Sequence, residues 1–184
     1  MFRNIMAVLL LSAPAAGGAQ AEERDGWALA RMTNGCMVQA VSAQGTMLSI
    51  WGFAGQSELG LLLQNREWKN LSDGERYRLS LDFPGVRSVP VDATARERID
   101  ADGPGLFFTL SPGAATADSF LDAFSTAKGM DISRDGEKVD TLALNGGRRA
   151  MTALAACLSD RWNAAVPASA GEARQPKTEL DDTI

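Results

Sequence analysis

The stretch VDTLALNGGRRAMTALAAC, residues 139–157, decides how the chain is read. Val139, Leu142 and Leu144 make a short apolar strand, and Asn145-Gly146-Gly147 breaks it. Ala150, Leu154 and Cys157 then recur at helical spacing, so one face of a helix ends in a thiol. The chain has one other cysteine, Cys36, far back toward the N-terminus. An even pair of cysteines in an exported chain predicts a single disulfide, Cys36–Cys157. Two separate buried thiols are the alternative. A metal pair is disfavoured, because the chain has no histidine and no C-x-x-C spacing.

Export is read from the first residues. Arg3 supplies a positive n-region, Ile5–Leu11 is a short apolar run, and Ala19-Gln20-Ala21 fits a small-residue cleavage site. Residues 1–21 are therefore predicted to be a signal peptide. Their apolar run is shorter than the roughly 20 residues needed to cross a bilayer, and no later segment suggests a span. No membrane insertion is expected after cleavage, and the localisation expected is periplasmic or secreted. Removing the signal takes the net charge from −5 to −6, because Arg3 is its only charged residue. A moderately acidic chain with no long basic run is a poor candidate for nucleic-acid binding.

Alternating apolar residues predict strands at Trp27–Arg31, Cys36–Ser42, Thr46–Phe53 and Leu59–Gln64, and most clearly at Arg76–Phe83. Val86, Val89 and Val91 suggest a further strand that Pro90 would confine to an edge. Gly103-Pro104-Gly105 reads as a hard break before Leu106–Leu110. The period then changes. Thr116 or Asp118 can cap a helix with an apolar stripe of Phe120, Leu121, Phe124 and Ala127, closed by a left-handed Gly129. Met130–Ile132 and Lys138–Leu144 pair through a hairpin turn at Asp135-Gly136. The cysteine-bearing helix follows and frays near Trp162. Residues 163–184 have too little apolar surface to offset their ordering entropy and read as a disordered tail.

Catalysis finds little support in these residues. Without histidine the usual Ser-His-Asp and Cys-His arrangements are excluded, and a disulfide would remove both thiols as nucleophiles. Lys69, Lys128, Lys138 and Lys177 all lie in polar, surface-like contexts. No phosphate-binding glycine loop opens a helix after a strand. Asp73, Glu75, Asp82, Asp100 and Asp102 are the carboxylates available for glycoside hydrolysis, and each reads more simply as a turn or solvent-facing strand residue. No catalytic residue, metal or cofactor is assigned. Trp51 and Trp68 are candidate partner-binding residues, since Trp is enriched at interface hot spots, with a role at the rim of the core as the alternative. Gly146, Gly147, Arg148 and Arg149 are a candidate anion site. Two cations at a helix start oppose its dipole unless they hold an anion or pair with surface acids.

The layout resembles a group of small exported bacterial proteins of no assigned activity. The residues that carry the likeness are Trp27 before Cys36, Trp68-x-x-Leu71-x-x-Gly74-x-x-Tyr77, and Leu142-x-Leu144-x-Gly146 followed by Ala150 and Cys157. It is faintly similar in layout to the invasion-associated locus B type of exported protein. The resemblance implies an exported, disulfide-tied domain and no particular chemistry.

These readings predict one α+β domain over residues 22–162. Roughly six to eight short, mostly antiparallel strands form a sheet or small sandwich, and two helices near the C-terminus cover one face. The expected role is non-catalytic binding of a protein partner in the cell envelope, as an inhibitor, immunity factor or assembly accessory. A carboxylate-dependent hydrolase acting on envelope glycans is the alternative. The intact mass of the exported protein should correspond to a chain starting at Glu22; a product retaining Met1 would end the export reading.

Overall fold

The computed structural model describes residues 22–69, 71–100 and 103–165. The signal-peptide assignment and residues 166–184 of the tail assignment lie outside them. The strands are β1 (Glu22–Arg24), β2 (Trp27–Met32), β3 (Gly35–Val41), β4 (Met47–Phe53), β5 (Leu59–Gln64), β6 (Arg76–Phe83), β7 (Arg87–Asp100), β8 (Gly103–Leu110), β9 (Gly129–Arg134) and β10 (Glu137–Ala143). The helices are α1 (Ala115–Thr126) and α2 (Gly147–Ala165). All ten strands join one sheet in the order β1-β2-β3-β4-β5-β8-β7-β6-β9-β10, and every pairing is antiparallel. The α+β class therefore holds, with more strands than expected and without a division into two sheets. One addition is β1, hidden in a charged lead-in that shows no apolar alternation. Its hairpin is formed by Asp25 and Gly26, both left-handed at φ 55° and 79°, the conformation that a tight two-residue turn requires.

The sheet curls strongly. Flat strands about 4.8 Å apart would leave β3 and β10, seven places apart in the order, more than 30 Å from one another. Yet the Ser42 hydroxyl, at the end of β3, donates a 2.8 Å hydrogen bond to Asp140 Oδ2 in β10. The inner face is the core. Val38, Ile50, Leu61 and Phe108 continue one another across β3, β4, β5 and β8, and Val89, Leu81 and Ile132 do so across β7, β6 and β9. Asp140 sits on this face opposite Ile132, only 5% exposed. Its charge is met by Ser42 and by the Thr141 N–H at 2.6 Å. An inward charge on an edge strand also discourages pairing with another chain.

Helix α1 packs on β7 and α2 at one end of the curl, where Phe120 meets Phe83 and Phe124 meets Trp27, both edge-to-face. Helix α1 and its flanks differ from the local signals in several places. The N-cap is Ala114, with no side-chain cap, so neither Thr116 nor Asp118 serves. The buried stripe is Ala117, Phe120, Ala123 and Phe124, and Leu121 is an exposed residue. Gly129 opens β9 and is not left-handed; Ala127 ends the helix in an extended conformation. Gly103-Pro104-Gly105 is no break but the start of β8. Residues 163–165 continue α2 instead of starting the tail. In sheet order β7 lies between β6 and β8, so it is not an edge strand. Pro90 is tolerated because β8 pairs with β7 only from Thr94 onward, leaving the Pro90 stretch bonded on one side.

Helix α2 lies against β2, β3 and β4. Ala150, Leu154 and Cys157 are its buried stripe, as their spacing required. Cys157 is bonded to Cys36 of β3, across a separation of 121 residues. A cross-link over a loop this long stabilises by about 4–5 kcal/mol in the chain-entropy account. Cys36→Ser should therefore lower the melting temperature by about 10 °C or more, read by circular dichroism. Thiol labelling of the unfolded, unreduced wild type should find no free thiol.

Candidate functional site

The end of the curl away from α1 is closed by the β5–β6 connection. Asn65 sets its shape. Its N–H donates to Pro104 O, its side-chain amide donates to Thr46 Oγ1 at 2.9 Å, and its Oδ1 accepts the Glu67 N–H at 2.8 Å. The Trp68 N–H then donates to Asn65 O at 3.1 Å. This local wrap, typical of an Asn side chain turning the backbone, carries Trp68 and Leu71 over the inner face. They enclose an opening of about 370 Å³ with Leu79, Leu106, Ile132 and Val139. Glu67, Lys69 and Arg134 stand at its rim. Arg134 also lies over the Tyr77 ring, 5.3 Å from its centroid. Val139 reaches this opening because β10 bulges between Lys138 and Asp140, which leaves Val139 45% exposed while Leu142 stays buried. The spacing from Val139 to Leu142 is odd, so the two could share a strand face only with such a bulge.

Trp51 and Trp68 are not neighbours; they lie on opposite faces of the sheet. Trp51 is on the outer face, stacked on Phe107 at 5.7 Å. A Cβ at Gly60 would come within 2.4 Å of the Trp51 ring. The indole thus fills the place of the side chain that Gly60 lacks, a support for a glycine in mid-strand.

The candidate anion residues are partly engaged with the protein itself. Arg149 forms an ion pair with Asp25, Arg148 Nε donates to Ser125 O at 3.1 Å, and the Gly147 N–H donates to Leu144 O. Ser125 and Lys128 stand in Ser-x-x-Lys spacing. However, α1 ends at Thr126, and the Ser125 hydroxyl donates to Asp122 O one turn back.

The carboxylates proposed for glycan hydrolysis are dispersed. Asp73 pairs with Arg96, and Glu75 accepts the Tyr77 hydroxyl at 2.7 Å. Asp102 lies outside the described residues, as does the side chain of Asp100. Asp82, on the outer face, accepts hydroxyls from Ser80 at 2.7 Å and Ser133 at 3.0 Å, and Ser80 is bonded in turn to Ser88. Desolvation alone would raise its pKa, but the hydroxyls of Ser88, Ser80 and Ser133 around it together outweigh that and hold the carboxyl below its ordinary 3.8. Such an acid stays ionised and suits neither a protonated donor nor a proton shuttle near neutral pH. Among the described residues no group of three or more His, Cys, Asp or Glu is placed to hold a metal, and no helix is long and apolar enough to cross a membrane.

Comparison with protein-family profiles, curated proteins and solved structures returns no match for this chain. The Asp82 cluster makes a pH-dependent prediction. Because the folded pKa is depressed, the ionised carboxylate stabilises the fold above the unfolded value and that contribution is lost as pH falls through the folded value. Asp82→Asn should cost about 1 kcal/mol at pH 6, and the difference from wild type should shrink as urea melts are repeated from pH 4 down to pH 2.

Proposed function

We propose that this is a non-catalytic exported envelope protein that acts by binding a protein partner, in an inhibitory, immunity or assembly role. In this reading the two helices cover one face of the sheet and leave the Trp68 end to the partner. The observation that carries it is the apolar opening under Trp68 and Leu71. Ligand sites favour concave places of this kind, in particular the mouths of curled sheets. A Trp at the lip of an apolar recess is the residue type that most often dominates an interface. The rim charges of both signs, Glu67 against Lys69 and Arg134, suit an apolar side chain presented from a polar polypeptide segment. The likeness to small exported bacterial proteins supports the compartment, as does the disulfide.

A photo-cross-linking residue placed at Lys69 should capture a discrete partner in the native envelope, identified by mass spectrometry. The same probe at Arg78, on the outer face, should not. Trp68→Ala should abolish capture while the circular dichroism spectrum is kept. Trp51→Ala should leave capture intact and lower stability. Equal capture from both positions, or turnover of an envelope glycan lost with one Asp or Glu substitution, would overturn the proposal, the latter in favour of a hydrolase.

A further inference from the structure

We propose a second site, independent of the partner surface: a small cavity between β2, β3 and the start of α2 that takes a small organic monocarboxylate, its apolar tail inside and its carboxylate on Arg149. The cavity holds about 140 Å³, close to the roughly 150 Å³ at which an apolar protein cavity takes up benzene. Trp27, Leu29 and Val38 line it from the strands, and Ala150 and Ala153 from the helix. The two alanines leave the space that larger side chains on this face of α2 would fill.

The mouth is formed by Asp25, Gly146 and Arg149. Asp25 is held there by its left-handed turn, φ 55°. Its side chain lies so close to Gly146 that a Cβ on that residue would come within 2.7 Å of Asp25 Cβ. The Asp25 carboxylate pairs with Arg149, and the two side chains are 45% and 75% exposed. Exposed pairs of this kind are weak, so a second carboxylate can displace Asp25 at little cost. Asp25 itself shows that a carboxylate fits on Arg149 at the lip of the cavity. Lys128 and Arg148 line a depression that shares Gly146 and Arg149 with this mouth. The corner is therefore cationic in a chain of net charge −5, which favours an anionic head over a neutral one.

Phenylacetate combines a benzene-sized tail with a carboxylate, and acetate and benzyl alcohol separate the two halves. Titrated into the full mature protein at low salt, phenylacetate should shift the methyl resonances of Ala150 and Ala153, and acetate should not. Benzyl alcohol should bind about fivefold more weakly than phenylacetate. Ala153→Leu, at a half-exposed position where the fold is expected to survive, should abolish the shift at Ala150. Asp25→Asn keeps a residue that tolerates the left-handed turn and removes the competing carboxylate, so it should tighten phenylacetate binding severalfold. A purely structural ion pair would give no such gain. The proposal fails if phenylacetate moves neither methyl, if acetate or benzyl alcohol does as well as phenylacetate, or if Asp25→Asn leaves its affinity unchanged or weaker.

Discussion

The hydrogen bond from Ser42 to Asp140 joins two places that the order of strands would set far apart, and the rest of the molecule follows from the curl it closes. A flat ten-stranded sheet would need a second layer along its whole length. Curled, it buries its inner residues against one another, and two helices are enough to complete the core. The tie is itself anchored. Ser42 Oγ accepts the N–H groups of Gln44 and Thr46, so the turn after β3 holds the hydroxyl in place before it meets the carboxylate. Removing either partner would leave a polar group in an apolar interior, a larger loss than the bond itself supplies.

Much of this was legible in the chain, and the reasons differ by element. Arg76–Phe83 announced itself by strict alternation, because one face of β6 is buried and the other meets solvent. The α2 stripe was plain because the helix buries a single narrow face. The cysteine pairing followed from number and context. What escaped was set by distant contacts. Nothing local distinguishes Asp140 from a solvent-facing acid, since its partner lies 98 residues away. Pro90 correctly signals a missing bond, but only the pairing of β8 shows that the strand runs on to an interior position. The start of α1 lacks a side-chain cap, so the Thr116 and Asp118 signals pointed two and four residues too late.

The candidate site was half legible for a similar reason. Trp51 lies in an apolar strand and Trp68 in a polar connection, yet the sequence offers both for the same role. Their surroundings separate them. Gly60 across the strand pair gives Trp51 a packing duty, while the wrap around Asn65 lifts Trp68 onto the lip of a recess. The bulge at Val139 completes that recess and could not be placed without knowing which face of β10 turns inward.

The position of the disulfide has a consequence for how the chain is made. Cys36 belongs to the third strand and Cys157 to the last helix, so the first thiol emerges well before its mate. Until α2 is made the bridge cannot close, and topologies with such distant contacts fold slowly. A third cysteine would offer Cys36 a wrong partner throughout that interval. With two in the whole sequence, no incorrect bridge within the chain is available, and oxidation within one molecule has a single outcome. Its formation therefore needs no reshuffling of bridges within the chain.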